Sequence, residues 1–180
     1  MSRPRRDARI SAPATADLEE LLRATGASTA IAELLADEHL RYDLYLAALE
    51  ATAPEDEVRL IDVVLREPDA TMRDAALGAT VDRRASTLAL EEFASWFEER
   101  SPQLRTSTFA RQRGDEWILY GRIAAGLDVA PKDYLNSSDW LQRKLSAETT
   151  SEQVLEVLAE HGRTKRIRGR ARERLLPTRR

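Results

Sequence analysis

The sequence predicts an all-α protein made of short helices packed as antiparallel pairs. Apolar residues recur at i, i+3, i+4 and i+7, as in Leu90, Phe93, Ala94 and Phe97, the spacing that lays a stripe along one helix face. The seven Gly and seven Pro stand singly, at the edges of such stripes. No alternating run of β-branched residues is long enough for a strand. The 180 residues suit one compact domain of roughly 100–200 residues. A chain of that length buries about 70% of its unfolded surface without help from disulfides or metals.

Residues 1–14, with Pro4, Pro13 and unpatterned charge, read as a disordered basic arm. Thr15 caps a first helix, Ala16 to Thr25, whose Asp17, Glu19 and Glu20 suit the positive end of the helix dipole, and Gly26 supplies a left-handed stop. Ser28 caps the next helix, with the stripe Ile31, Leu34 and Leu35. A change of phase to Leu40, Leu44, Ala47 and Ala48 places a break near Asp37–His39. Pro54, followed by Glu55, Asp56 and Glu57, starts a helix carrying Val58, Ile61, Val64 and Leu65, which Pro68 ends. Asp69 caps a helix with Met72, Ala75, Ala76 and Ala79 on one face. Ser86 opens the helix of Leu90 to Phe97, and Ser101–Pro102 closes it.

A short helix near Leu104–Arg111 then precedes a second, Glu116–Ala125, capped by Asp115 and stopped by Gly126. Pro131 starts one turn toward Leu135, and Ser138 caps a helix holding Trp140, Leu141 and Leu145. Thr150 and Gln153 have capping-box spacing ahead of Val154, Leu155, Val157 and Leu158. After Gly162 a basic helix, Thr164–Leu176, ends before Pro177. The helical domain thus spans 15–176, with 177–180 left as a basic tail.

Two stretches share a pattern. Pro54–Glu67 and Asp69–Arg83 read as helix, Pro-containing turn and second helix bearing Met72-Arg73-x-x-Ala76. Val154–Arg174 repeats it, with a turn at His161-Gly162 and then Ile167-Arg168-x-x-Ala171, and Leu40-Arg41 is a degenerate earlier copy. On these residues the chain resembles the HEAT-like family of α-helical repeats over about half its length. The spacing is irregular, 7 residues from Leu65 to Met72 and 9 from Leu158 to Ile167. The resemblance implies an irregular solenoid of stacked helix pairs, with a compact multi-helix bundle as the alternative. It also implies a protein partner rather than chemistry, since a minority of such arrays grip nucleic acid.

The formal net charge of −3 conceals a partition. Residues 1–9 carry four Arg against Asp7. Residues 163–180 carry eight Arg and one Lys against Glu173, and the stretch 10–162 between them stands at −14. Against a selective reading, 25 Arg beside 3 Lys and 27 Ala is what a GC-rich genome produces. The basic end can therefore neutralise its own acidic body, grip an external polyanion or meet an acidic protein.

Absent cysteine excludes a disulfide framework, Cys-ligated zinc, iron–sulfur clusters and thiol catalysis. No apolar run approaches the ~20 residues that span a bilayer, and no apolar stretch follows the Arg-rich start, so no membrane contact and a cytoplasmic location are expected.

The search for chemistry yields no catalytic, metal or cofactor residues. His39 stands among Asp37, Glu38 and Asp43 as a surface ion pair, and His161 sits in a C-terminal turn. Unclustered glycines offer no phosphate cradle. The pairs Glu91-Glu92 and Glu98-Glu99 lie on a polar helix face, and Trp96, Trp117 and Trp140 read as core anchors.

In the last helix Ile167, Ala171 and Leu175 form a narrow apolar stripe. Arg163, Arg166, Arg170 and Arg174 run along one flank, with Arg168 and Arg172 elsewhere. These six arginines are the one candidate surface, for a polyanion or an acidic partner. The plainer expectation pairs them with Glu152, Glu156 and Glu160 of the preceding helix. The chain therefore reads as a non-enzymatic helical-repeat interaction module that binds a protein partner. The alternative is a nucleic-acid-associated protein that contacts phosphates through its Arg-rich N- and C-terminal segments.

Overall fold

A computed structural model describes residues 14–53, 56–104 and 106–176. The described residues are all helical, without a strand, and hold eleven helices. In chain order these are α1 (Thr15–Thr25), α2 (Ile31–Ala36), α3 (Glu38–Ala51), α4 (Glu57–Leu65), α5 (Ala70–Thr87) and α6 (Leu90–Leu104). They continue as α7 (Thr108–Ala124), α8 (Pro131–Leu135), α9 (Asp139–Glu148), α10 (Glu152–His161) and α11 (Lys165–Leu175). No helix among the described residues is long and apolar enough to cross a membrane. The arm expected over 1–14, apart from Ala14, lies outside the described residues, as do Pro54, Glu55 and the tail 177–180.

Two compact units are present. Unit 1 holds the described residues up to Arg83 together with Glu99–Arg111. Unit 2 holds Arg84–Glu98 and the described residues from Gln112 onward.

In unit 1, α1 buries Leu18 and Leu21 and ends where Gly26 turns left-handed at φ 68°. The break at Asp37 is real. Its carboxylate accepts from the backbone N–H of His39 (2.8 Å) and Leu40 (3.3 Å), so it caps α3 as it ends α2. Behind it lies a buried polar knot. The Glu67 side chain is fully buried and accepts from Arg41 Nε (3.0 Å) and Nη2 (3.2 Å), from the Tyr45 hydroxyl (2.7 Å) and from Asp69 N–H (3.1 Å). Arg41 also donates from Nη1 to the Leu34 carbonyl (2.8 Å). One carboxylate thus ties α3 to the α4–α5 turn, and the guanidinium extends the tie to α2. Burial first, and then the bond to Glu67, push the Tyr45 phenol far above its usual range.

In unit 2, Phe93, Trp96 and Phe97 form an aromatic triangle, with Phe93 stacked on each of the other two at 5.7 and 6.0 Å. Phe97 lies over Gly114, where an added Cβ would come within 2.1 Å of the ring; this close approach is why a glycine stands inside α7. A second cluster is built from Tyr134, Leu141, Leu145, Leu155, Leu158, Ile167 and Ala171. Gln142, fully buried, donates to the Leu135 carbonyl (2.8 Å) and accepts from Arg163 N–H (2.8 Å), bridging the end of α8 to the α10–α11 turn.

Several sequence-based boundaries move, and at Ser107 a tertiary bond outranks the local signal. Neither Thr15 nor Ser28 caps a helix; Ala14 and Ala30 hold those positions without side-chain bonds. Helix α5 runs through Ser86, and α6 carries Pro102 inside it as far as Leu104. The two helices expected around Asp115 are one, α7. Ser107 starts it, accepting from Ala110 N–H (3.0 Å) while donating to Asp74 (2.8 Å). Ser151, not Thr150, caps α10. The glycines are not all stops: only Gly26 and Gly126 have positive φ.

The pattern noticed in the sequence has a geometric counterpart. Arg41, Arg73 and Arg168 are each the fourth residue of their helix. Each donates from Nη1 to a carbonyl six or seven residues upstream: Leu34 at 2.8 Å, Glu67 at 3.4 Å and Gly162 at 2.6 Å. Three residues further on, Leu44, Ala76 and Ala171 are buried.

Replacing Glu67 with Ala strands Arg41 in a nearly dry site, and breaking such a pair costs about 3–5 kcal/mol. Urea unfolding of Glu67→Ala is expected to show that loss. A change below ~1 kcal/mol would mean the knot contributes little.

Candidate anion-binding face

The face is set by how α11 seats. Thr164 caps it, accepting from Ile167 N–H (3.2 Å), and Ile167 and Ala171 are fully buried on α9 and α10. The α10–α11 turn is tight: a Cβ on Gly162 would meet the Leu158 carbonyl oxygen at 2.5 Å and Ile167 Cγ2 at 2.7 Å. The expected apolar stripe therefore points inward and leaves both flanks of α11 to the cations.

The six arginines divide into two sets. Three are tied to backbone carbonyls around helix ends: Arg163 Nη2 to Ser137 (2.7 Å), Arg168 Nη1 to Gly162 (2.6 Å) and Arg174 Nη2 to Thr149 (2.5 Å). Carbonyls left over at a helix C-terminus are natural partners for a cation. The other three, Arg166, Arg170 and Arg172, are exposed and make no hydrogen bond or ion pair within the described residues.

The pairing expected with Glu152, Glu156 and Glu160 does not occur. Helix α10 buries Val154, Leu155, Leu158 and Ala159, which turns those glutamates to solvent. Glu160 instead lies 3.6 Å from His161.

Sequence reasoning missed Arg143, on the exposed side of α9. Arg143, Ser146, Arg166, Ile167 and Arg170 line one hollow of about 110 Å³. On the other side of Arg166 and Arg170 a shallower hollow is lined by Gly169, Glu173 and Arg174. Arg143 spends Nε on the Asp139 carbonyl (3.1 Å), with the Asp139 carboxylate 3.8 Å away. Nothing in the local sequence marks Arg143; only the packing of α9 against α11 brings it beside Arg166.

Next to this face lies an aromatic and ionic cluster. Trp117 packs on Tyr120 (5.6 Å) and Trp140 (5.3 Å). Arg113 covers Trp140 at 4.0 Å, and Lys144 lies over Trp117 (4.5 Å) and Tyr120 (4.6 Å). Glu148 accepts from Lys144 (2.7 Å) and from the Tyr120 hydroxyl (3.0 Å). Burial works to raise the Glu148 carboxyl, but the bonds from Lys144 and Tyr120, with the nearby Arg170 charge, outweigh it and hold it below its usual value. Burial, and then the bond to Glu148, push the Tyr120 phenol up to about 12. Trp96 is a core anchor at 9% exposure, whereas Trp117 and Trp140 are half-buried beneath cations.

The histidines lie elsewhere on the surface. His39 is near Asp37 (3.7 Å) and Glu38 (3.9 Å) rather than Asp43, and all three groups are exposed. Chain neighbours of this kind form an ordinary solvated ion pair.

The chain matches no family model, no curated protein and no solved structure. What it does has to be argued from this face.

Tyr120 supplies a pH test of the cluster. Its folded value lies above the unfolded value of about 10, so its stabilisation is complete below pH 10 and is lost as pH rises toward about 12. In Glu148→Gln, Tyr120 is expected to ionise closer to 10, while burial still holds it above. Phenolate absorbance, taken as the difference from Tyr120→Phe in each background, reads this directly. An unchanged titration would show that the carboxylate does not act on the ring.

Proposed function

We propose that this protein is a non-enzymatic helical-repeat binding module, and that its working surface in unit 2 takes the phosphate backbone of a nucleic acid. The observation that carries this reading is the division of the arginines. Three meet the structural needs of helix ends, while Arg166, Arg170 and Arg172 stand exposed without an anion of their own. An arginine fork suits phosphate oxygens in pairs, which a lysine ammonium does not match.

Charge supports the same surface. The segments of unit 1 carry 13 cations against 18 anions, and those of unit 2 carry 15 against 13. The acidic excess that argues against nucleic acid therefore belongs to unit 1. The recurrent placement of Arg41, Arg73 and Arg168 supports the repeat reading, since the same arginine-to-carbonyl bond serves three helix pairs.

A second reading, a basic protein partner, is favoured by one observation: the exposed row Glu152, Glu156 and Glu160 on α10 has no Arg or Lys partner among the described residues. Glu156→Lys would abolish such a complex and leave nucleic-acid binding intact.

The test is anisotropy of a labelled duplex over a salt series starting near ~50 mM. Each phosphate contact contributes about 0.9 to the log–log slope. The variant Arg166→Ala/Arg170→Ala/Arg172→Ala is expected to flatten the slope by about 3, while Arg168→Ala lowers thermal stability. Absence of binding at low salt, or an unchanged slope in the triple variant, would overturn the proposal.

A further inference from the structure

The hollow between α9 and α11 differs from the rest of the basic surface in being assembled from two helices. Arg166 and Arg170 are one turn apart on α11, so they present adjacent guanidinium groups along one flank. Arg143 reaches the same hollow from α9. Its Nε is committed to the Asp139 carbonyl, which orients the guanidinium and leaves both Nη groups to face the hollow without a hydrogen bond. Arg166 makes no hydrogen bond or ion pair within the described residues, and Glu148, which feels the Arg170 charge, is already bonded to Lys144 and Tyr120.

At its floor Ile167 is fully buried, and Ser146 is 1% exposed, with its hydroxyl donating to the Arg143 carbonyl (2.9 Å). The hollow, of about 110 Å³, opens to solvent and has room for one tetrahedral oxyanion. The hollow itself is lined by three arginines and no carboxylate; Asp139 lies beside Arg143, Glu148 is bonded to Lys144, and Glu173 lines the hollow on the other side of Arg166 and Arg170.

Resting on the proposed function, we infer that this hollow is a single-phosphate seat. Arg143 on α9 and the Arg166–Arg170 pair on α11 clamp one phosphate, while Arg172 serves only the open surface. The seat fixes the register of a nucleic acid on the protein. Its ligand chemistry is a phosphate group, whether free, at a chain end or within a backbone.

The full-length protein is titrated with inorganic phosphate, chloride being exchanged to hold ionic strength constant, and the backbone amide signals of Ser146, Ile167 and Arg170 are followed. Saturable shifts are expected for phosphate. Arg143→Gln should weaken phosphate about tenfold or more, as loss of a charge-assisted donor pair does, and Arg172→Ala should not. Non-saturating shifts, or equal affinity in Arg143→Gln, would overturn the seat. If the triple-arginine variant still loses duplex binding in that event, the nucleic-acid reading stands without the seat. If the seat holds phosphate while no duplex binds, the reading fails and the ligand is a free phosphate. An oligonucleotide carrying a 5′-phosphate, compared with its 5′-hydroxyl twin, separates the remaining sources. Tighter binding of the former assigns the seat to a chain end, and equal binding assigns it to the backbone.

Discussion

Short helices create carbonyl groups with nowhere to bond. Each α-helix leaves its last four carbonyls without an intrahelical partner, and the eleven helices of the described residues multiply that deficit. Arginine meets part of it here. Arg41, Arg73, Arg83, Arg163, Arg168 and Arg174 all donate to backbone carbonyls at helix ends or in the turns beside them. The bonds of Arg41, Arg73 and Arg168 span the turns between consecutive helices, so the deficit becomes a means of fixing those turns. In unit 1 the device is strengthened by Glu67, which neutralises the buried Arg41 and gathers Tyr45 and Asp69 around it. Unit 2 uses no buried carboxylate for α11. Its tied arginines lie at the surface and rely on the carbonyl dipoles alone.

This division of labour makes the unemployed arginines informative. An arginine-rich composition accounts for many guanidinium groups, but not for which of them find partners. On α11 an apolar stripe faces inward, one set of cations reaches helix ends, and the remainder has no anion although three glutamates stand on the adjacent helix. Pairing those rows would require α10 to rotate its glutamates inward and expose Val154 and Leu158. The apolar burial lost would be about 1.5–3 kcal/mol for each side chain. A surface ion pair returns about 0–1 kcal/mol. Burial wins, and the cations remain available.

Much of the fold was legible from the sequence. Helical periodicity, Gly26, Gly126, Asp37, Asp69 and Ser138 located most helices, because each acts through its own backbone neighbourhood. The error at α7 falls where a side chain had a distant partner. Ser107 starts α7 because Asp74 holds it, and Asp115, a good cap by type, is carried inside the helix. Glu116 is buried beneath Ser138, accepting from its N–H (2.6 Å) and hydroxyl (2.8 Å), and so helps begin a helix far along the chain. The site was half legible. The arginines of α11 were visible as a run, but their division into tied and free sets depends on carbonyls 6 to 26 residues away. Arg143 becomes a member only once α9 packs on α11.

The central claim is that arginines tied to helix ends and arginines left free do different work. Guanidinium Nη–H resonances, followed while a duplex oligonucleotide is added, test it most directly. The account predicts that Arg166, Arg170 and Arg172 shift and become protected from exchange, while Arg163, Arg168 and Arg174 are protected beforehand and stay in place. Equal exchange rates for the two sets in the free protein, or shifts confined to the tied set, would contradict it.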